Sequence, residues 1–323
     1  MLIKTKDIIF IEYNEFTMNK IDLSSTNSVI DVHCHLGGVL LGNILNGSYP
    51  YSQDPLDLIR KMQANKIDYS ICFPFPLNGE FGLTYDLFNQ LLLQESQKFG
   101  DNKLLPFMGI SLDDNLQTQL QSIDSLRSKY NIYGFKIYPP NDKYSINDKA
   151  VESILSEYVE KYNLPLIFHT AFSGNGNPLN ILDFAKHHPN IRLVLAHAAR
   201  FNENAFQEIK TLENVYLDCS PLNLLCALMR KYCEKHTCAF DRSLFFEPNK
   251  TFMELYKLFP DKLVWGSDAP YNYSTNFQED EWTEYNQSYS YEENAAFIFT
   301  LDEKIREKVA HKNTLNFLFG VDI

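Results

Sequence analysis

Four histidines and one aspartate stand at the ends of short apolar stretches, where a metal ion could be bound. The residues are His33, His35, His169, His197 and Asp268. His33 and His35 are two residues apart, and side chains two apart on a strand point to the same side, so both imidazoles can reach one ion. A divalent cation held by neutral imidazoles and a carboxylate polarises a carbonyl and lowers the pKa of a bound water from about 16 towards about 7. The pattern therefore indicates metal-dependent hydrolysis, with Asp268 as the general base that takes a proton from that water.

Two basic residues near these positions could complement such a site. Lys136 lies in an apolar stretch, where burial lowers the pKa of an amine. A neutral amine can react with carbon dioxide to form a carbamate that bridges two metals, whereas a charged one would form a salt bridge with Asp268 or with a substrate carboxylate. Arg200 could bind a substrate carboxylate through two hydrogen bonds, or form a surface ion pair with Glu203 or Glu208. Aromatic residues that could line a pocket are Tyr138, Phe172, Trp282 and Tyr285.

The elements that would position these residues follow a repeated strand–helix pattern. Eight short apolar stretches bounded by turn residues are predicted as strands, with helical periodicity between them. This number of units, the chain length, and the absence of a Gly-rich phosphate loop after the first strand favour a (β/α)8 TIM barrel over an open doubly wound sheet. The polar residues at the strand ends would then form a metal site at the C-terminal face of the barrel. The predicted strands are Val29 to His35, Ile67 to Pro74, Leu104 to Leu112, Tyr133 to Pro139, Leu164 to Phe172, Ile191 to His197, Val215 to Cys219 and Leu263 to Ser267; predicted helices are Asp54 to Lys66, Tyr85 to Lys98, Leu116 to Tyr130, Asp148 to Tyr162 and Leu179 to His188.

Two long connections are expected to lie over the same face. The segment from Ser220 to Asp261 contains an additional apolar helical stretch, LNLLCALMRKYC. The segment from Pro270 to Tyr291 is rich in Tyr, Asn and acidic residues, and is predicted as a loop before a helix at Glu292 to Leu301. Because loops at the C-terminal face of a barrel surround its active site, these segments would select the substrate.

The composition favours one soluble unit and excludes several classes of function. The 323 residues are predicted to form a single domain, residues 1–323, because too few residues precede the first strand for a second domain. A net charge of -12 argues against nucleic acid as a partner. The apolar run Ile8–Ile11 is too short for a signal peptide or a membrane span, so we expect a cytoplasmic protein with no membrane association. The six cysteines are accordingly expected to be reduced thiols.

The remaining four histidines have ordinary structural interpretations. His187 and His188 end a predicted helix, where cations suit the C-terminal dipole. His236 lies close to two cysteines, but the spacings match no common zinc site. His311 is predicted to lie on the surface of the final helix. None of the four is assigned to the metal site.

The order DVHCHLGG, FKIYPP, FHT, LAHAAR and WGSDAP resembles the amidohydrolase superfamily. Within it, the chain is most similar to the amidohydrolase-2 group, which also contains aminocarboxymuconate-semialdehyde decarboxylase and related decarboxylases and hydratases. The resemblance extends from Asp31 to the closing NTLNFLFG. The chain departs from the decarboxylase pattern after His197, where Ala198, Ala199 and Arg200 replace a Gly-rich turn.

The resemblance implies a role for each residue of the candidate site. His33, His35 and His169 would be metal ligands, and Asp268 would bind metal and accept the proton of the attacking water. His197 would bind a second metal or, in a one-metal enzyme, orient or polarise the substrate. Lys136 falls where two-metal members such as phosphotriesterase and dihydroorotase have a carboxylated lysine. The ligand types accept Zn, Mn, Fe or Ni, and we expect one or two ions, most simply Zn.

Four functions remain open at the level of sequence. The first is metal-dependent hydrolysis of a small carboxylate-bearing amide, lactone or ester, and the second is a one-metal non-oxidative decarboxylase or hydratase. A TatD-type deoxyribonuclease is disfavoured because the Glu-containing motif of that family is missing from FMGISL and GFKIYPP. A catalytically silent binding protein would have lost a ligand, and all the expected ligands are present. The partner is therefore expected to be a small molecule. The sequence does not determine the oligomeric state, and a homodimer is compatible with it.

Overall fold

The computed structural model describes most of the segment that carries the predicted barrel. Trp282, Tyr285 and most of the predicted loop from Pro270 to Tyr291 lie outside the described residues. The described residues are 2–5, 8–11, 28–38, 52–76, 84–100, 102–271 and 289–321.

Eight parallel strands follow one another around a curled sheet, and each pairs with its neighbours in sequence. Their side chains are buried on both faces, which is why the strands appear in the sequence as continuous apolar runs. A two-residue strand, Ser52–Gln53, pairs antiparallel with the end of the first barrel strand, and Leu2–Thr5 pairs with Ile8–Ile11 in a separate two-stranded sheet. The barrel strands are β1 (Ile30–Gly38), β2 (Tyr69–Pro74), β3 (Leu104–Ile110), β4 (Gly134–Ile137), β5 (Leu166–Phe168), β6 (Leu193–Leu195), β7 (Val215–Asp218) and β8 (Leu263–Val264).

The barrel closes where the residues after β8 meet β1. The regular part of β8 is two residues long, so the segment that follows it completes the contact. The N–H of Val32 donates to the carbonyl of Trp265 at 3.1 Å, the N–H of Asp268 to the carbonyl of His33 at 2.7 Å, and the N–H of His35 to the carbonyl of Ala269 at 2.7 Å. The (β/α)8 TIM barrel predicted from the sequence is confirmed.

The helices alternate with the strands and begin where the sequence places capping residues. Asp54 and Asp148, predicted as first helical residues, are N-caps whose carboxylates accept the N–H of Asp57 and of Ala150. The helices are α1 (Pro55–Ala64), α2 (Tyr85–Phe99), α3 (Leu116–Arg127), α4 (Lys149–Tyr162), α5 (Pro178–His187), α6 (Glu203–Ile209), α7 (Leu222–Tyr232), α8 (Pro248–Leu258), α9 (Tyr291–Thr300), α10 (Glu303–Glu307) and α11 (Asn313–Phe319). Among the described residues, no helix is both long and apolar enough to cross a membrane.

Two apolar layers lie on either side of the sheet. The larger one packs the helices against the outer face of the strands. The smaller one fills the barrel interior with side chains such as Val32 and Phe107, and Phe317 from α11 packs against Phe107 with ring centroids 6.2 Å apart. Helix α11 covers the interior cluster near the N-terminal ends of the strands. The open end of the barrel is therefore the C-terminal one, where the candidate site lies.

Two expectations from the sequence are wrong. Cys233 and Cys238 form a disulfide, because the turn after α7 brings their Cα atoms to 5.9 Å. The other four cysteines are free and buried, as expected. His311 is buried, because it lies in a π-helical turn (Lys308–Lys312) that packs against the end of β8, where the N–H of Trp265 donates to Val309.

Candidate active site

His33, His35 and Asp268 converge at the C-terminal ends of β1 and β8. The Nε2 atoms of His33 and His35 lie 3.2 and 3.3 Å from Asp268 Oδ1. Ligands held at the usual distances around a tetrahedral zinc ion are about 3.3 Å apart, so these separations suit a divalent cation. Among the described residues, these three side chains form a group whose ligand atoms lie close enough together to hold one metal ion, and all three are buried.

The second ring nitrogen of each histidine is held by a group that can only accept a hydrogen bond. His33 Nδ1 donates to Asp218 Oδ2 at 2.9 Å, and His35 Nδ1 donates to the carbonyl of Pro74 at 3.2 Å. Both Nδ1 atoms therefore carry hydrogen, and the lone pairs on Nε2 face Asp268. Outer hydrogen bonds of this kind orient histidine ligands and make them more basic.

The carboxylates make this corner attractive to positive charge. Burial and the Lys136 ammonium favour a neutral ring, yet Asp218 and Asp268 raise the pKa of His33. Burial lowers the pKa of His35 to about 4. Burial also opposes ionisation of Asp268, but His33 holds the pKa of that carboxyl well below its usual range. Asp268 is therefore ionised at neutral pH.

Asp218 supports the site from behind; from the sequence, its place at the end of the seventh strand allowed either another carboxylate of the site or a cap of the following turn. The side chain is fully buried at the end of β7. Its Oδ2 accepts from His33, while its Oδ1 accepts the N–H of His197 at 3.2 Å and both the N–H and the hydroxyl of Ser220, at 2.9 and 2.6 Å. One carboxylate thus orients a candidate ligand and fixes the loop after β7.

Lys136 lies on β4, behind the three candidate ligands. Its Nζ is 3.3 Å from His33 Nε2 and 4.6 Å from the centre of the Phe73 ring. No carboxylate oxygen of the described residues lies within 4.0 Å of it, so the salt bridge with Asp268 is not formed. Burial lowers the pKa of Lys136 to about 8, which makes the neutral amine accessible near neutral pH.

His169 and His197 form a chain of hydrogen bonds beside this group. Arginine can only donate, so the 3.2 Å contact makes His169 Nε2 the acceptor of Arg200 Nη2. His169 Nδ1 then donates to His197 Nε2 at 3.0 Å, and His197 Nδ1 donates to the carbonyl of Ser220 at 2.6 Å. Burial lowers the pKa of His197 to about 3 and that of His169 well below its usual value, so both rings are neutral. The two histidines lie next to the three converging ligands and bind each other.

The turn that carries Arg200 is unusual. All five residues from His197 to Phe201 have φ between 48° and 57°, in the left-handed region, and none is glycine. Each such residue costs about 1–2 kcal/mol, which must be offset elsewhere. Ala198, Ala199 and Phe201 are fully buried, and the Nε of Arg200 donates to the carbonyl of Thr170 at 2.7 Å. The turn directs the guanidinium towards the mouth of the barrel.

Arg200 does not form the surface ion pair that the sequence left open. Glu208 binds Lys186 instead, at 2.9 Å. The guanidinium lies 5.6 Å from the Phe172 ring and has no carboxylate within 4.0 Å among the described residues. Burial lowers the pKa of Arg200 from its ordinary value.

A cavity of about 240 Å³ opens in front of these groups. Tyr138 borders it with its ring 4.0 Å from that of His169. Helix α7 forms part of the wall, which confirms that the long segment after β7 lies over the C-terminal face. The lining residues are His35, Pro76, Tyr138, His169, His197, Arg200, Pro221, Leu224, Leu225, Leu228, Asp268 and Tyr271.

Asp31 is a second carboxylate whose position the sequence did not predict. It is fully buried, and its Oδ1 accepts the N–H of His33 at 3.1 Å and of Ser267 at 2.9 Å. Its Oδ2 accepts from Cys34 Sγ at 3.1 Å and from the hydroxyl of Tyr291 at 3.5 Å. A carboxylate inside an otherwise apolar strand was the available signal, because such a group must find donors when buried.

A TIM barrel with a His-x-His pair on its first strand and an aspartate after its eighth defines a class of metal-dependent barrel enzymes. The sequence model of the amidohydrolase family matches residues 30–319. The chain belongs to this amidohydrolase family, whose members are enzymes, and it is an enzyme of the hydrolase or lyase kind. No curated protein matches the sequence significantly.

Solved structures from the same superfamily share the fold at low sequence identity. A probable 2-pyrone-4,6-dicarboxylic acid hydrolase from Acinetobacter baumannii is 16% identical, with a TM-score of 0.59 over 91% of this chain and 100% of its own. The 2,6-dihydroxybenzoate decarboxylase from Rhizobium is 11% identical, with a TM-score of 0.60 over 90% and 98%. An amidohydrolase from Burkholderia multivorans is 14% identical, with a TM-score of 0.63 over 90% and 99%. These similarities establish the fold and leave the reaction open.

Proposed function

We propose that the protein is a metal-dependent hydrolase acting on a small carboxylate-bearing amide, lactone or ester. The observation that carries the proposal is the convergence of His33 Nε2, His35 Nε2 and Asp268 Oδ1 beside an open cavity, at separations that suit a tetrahedral cation. Zinc is the metal we expect, since it prefers nitrogen and oxygen ligands in this geometry. When bound, such a cation acidifies water and polarises a carbonyl.

Each side chain around the proposed metal has a separate role in the reaction. The ionised Asp268 takes the proton of the attacking water onto its carboxylate and returns it to the leaving nitrogen or oxygen. Asp218 keeps His33 in the tautomer that presents Nε2. Arg200 and Tyr138, both in the cavity wall, bind the carboxylate of the substrate. In this scheme His197 acts through His169, because its Nδ1 is bound to Ser220 and its Nε2 accepts from His169 Nδ1.

A two-metal form is an extension of the same proposal. Its second set of ligands would be Lys136, carboxylated on Nζ, with His169 and His197. The neutral amine required for the carbamate is accessible because burial brings the pKa of Lys136 to about 8. The amine would attack carbon dioxide and lose a proton, so that the new carbamate carries a negative charge.

A one-metal decarboxylase or hydratase is the second candidate, and a specific observation favours it. His169 and His197 are hydrogen-bonded to each other at 3.0 Å. Of the six residues that the sequence suggested as metal ligands, only His33, His35 and Asp268 therefore converge on one point. Related structures include both a hydrolase and a decarboxylase. In this alternative, His197 is a catalytic group and Lys136 stays a free amine.

The metal content per chain distinguishes these possibilities. It would be measured by elemental mass spectrometry on protein purified without chelator and with bicarbonate present throughout, followed by hydrolysis assays on lactones, esters and amides. Two equivalents of metal would support the carboxylated Lys136 and the hydrolase. One equivalent would favour the decarboxylase or hydratase, and no metal even after reconstitution would contradict both.

The kind of partner, the domain organisation and the location of the protein are also proposals. We expect a small-molecule substrate, a single domain over residues 1–323 and a cytoplasmic location, and a homodimer is compatible with the sequence. Nucleic acid is not expected as a partner because of the net charge of -12.

A further inference from the structure

Arg200 is a half-buried cation that lacks an anionic partner among the described residues. Two of its nitrogens are bound to neutral acceptors, the carbonyl of Thr170 and Nε2 of His169. No carboxylate of the described residues lies within 4.0 Å of the guanidinium, although it borders the cavity. A charge partly removed from water and without a counter-charge is unfavourable, so this position is suited to an anionic group of a ligand.

Another part of the cavity wall is apolar. Leu224 and Leu228 are four residues apart on α7, so they lie on the same face of the helix, and Pro221 and Leu225 continue this surface. None of these side chains can donate or accept a hydrogen bond. This part of the wall is suited to a hydrocarbon portion of a ligand, and it would leave a second carboxylate without a partner.

The described part of the cavity wall holds no second cationic side chain. Arg200 is the only lysine or arginine among the described residues that line the cavity. A ligand with two carboxylates would therefore find one cationic side chain in this wall. While the proposed metal holds the reacting carbonyl, the second carboxylate would lie against the leucines.

We propose that the site selects compounds with a single carboxylate and an apolar remainder, and discriminates against dicarboxylates. The carboxylate binds Arg200, and the apolar part packs against Leu224 and Leu228. The cavity of about 240 Å³ has room for a remainder that is a short chain or one ring. This inference rests on the proposed function for the identity of the site and adds the class of substrate that it takes.

The test compares hexanoate, adipate and 1-hexanol, which have equal carbon number and one, two or no carboxylates. Binding to the full-length protein as purified would be measured by calorimetry. Hexanoate is expected to bind about tenfold or more tightly than either of the others, since hydrogen bonds to a charged group are strong when desolvated. In Arg200→Gln, the preference for hexanoate over 1-hexanol should disappear, whereas a carboxylate held only by the metal would keep it.

A second variant does not depend on Arg200. Leu228→Arg places a cation on the apolar wall and should shift the preference towards adipate by about tenfold. Leu258→Arg is the matched control, because Leu258 is an exposed leucine on α8 and its replacement adds the same charge away from the cavity. It should leave the three affinities in their original order. Circular dichroism would show that each variant is folded.

Three results would overturn the inference. They are adipate binding as tightly as hexanoate in the unmodified protein, an unchanged preference in Arg200→Gln, and no binding of hexanoate. Hydrolysis of the lactone and ester panel is a separate measurement. A protein that hydrolyses a lactone but does not distinguish the three probes would retain the proposed function and lose this inference, and the reverse pattern would retain selective binding and lose hydrolysis.

Discussion

Replacing Asp218 by Asn should weaken metal binding although Asp218 is not one of the three converging ligands. The carboxylate accepts hydrogen bonds from His33, from the backbone of His197 and from the backbone and hydroxyl of Ser220. The amide has the same shape but one oxygen. If that oxygen faces His33, the NH2 group faces two backbone donors, and if it faces those donors, the NH2 group opposes Nδ1–H of His33.

The size of the effect follows from the bond to His33. Its length is 2.9 Å, and a hydrogen bond to a charged group contributes about 1.5–3 kcal/mol. Loss of that contribution corresponds to metal affinity weaker by about 10- to 100-fold, the range usual for partners of metal-bound histidines. Thermal unfolding should also begin at a lower temperature, since a fully buried amide is left with an unsatisfied donor.

The measurement is a competition titration with a chelator of known affinity, accompanied by elemental analysis and circular dichroism. Ser220→Ala is the matched control. It removes one donor to Asp218 but keeps the charge, the bond to His33 and the carbonyl that accepts from His197. Metal affinity should stay close to that of the unmodified protein. Unchanged affinity in Asp218→Asn, or an equal loss in Ser220→Ala, would refute the reasoning.

Three further predictions concern the base, the buried histidines and the disulfide. Asp268→Asn should abolish turnover with an unchanged circular dichroism spectrum, because an amide cannot take the proton, and normal turnover would reject Asp268 as the base. The folded-state pKa of His35, about 4, lies below its unfolded value of 6.5, so between these pH values the unfolded chain binds one more proton than the folded chain. The free energy of unfolding of the metal-free protein, measured with urea, should therefore fall by about 3 kcal/mol as the pH falls through this range. The decrease should be smaller in His35→Gln. His197 should act in the same direction down to about pH 3. Reduction of the Cys233–Cys238 disulfide opens a six-residue loop, so the free energy of unfolding should fall by about 2 kcal/mol. In Cys238→Ser, which lacks the disulfide, a reductant should not change the free energy of unfolding.

The sequence predicted the barrel and the convergence of His33, His35 and Asp268 because both depend on simple periodicities. Alternation of side chains along a strand places the two histidines together, and the parallel order of the strands brings the first and last ends to one face. Strand lengths were less predictable. β5 and β6 are three residues each, because the chain leaves the sheet before reaching His169 and His197.

The hydrogen bond between His169 and His197 could not be predicted from the sequence. It depends on how far each chain continues beyond its strand, and on a left-handed turn that begins at His197. Glycine is the usual signal for such a turn, and here alanines and Arg200 adopt it because burial and the bond to Thr170 offset its cost. The role of Asp31 could not be predicted for a related reason, since a buried carboxylate is explained by donors distant in sequence. For Asp218 the sequence left two roles open, and its bonds to His33 and to Ser220 show that it fills both.

The closure of the barrel and the spacing of the candidate ligands depend on the same bonds. The N–H of Asp268 donates to the carbonyl of His33, and Asp31 accepts from the backbone of both His33 and Ser267. The distance between a histidine on β1 and the aspartate after β8 is therefore set by the backbone more than by side-chain rotamers. Because α7 and Arg200 lie outside this network of backbone bonds, changes in the cavity wall can alter the substrate while the ligand spacing is kept. A fold does not determine the reaction it carries, and this separation is the reason for which we propose that the selectivity of this chain lies in Arg200 and the leucines of α7.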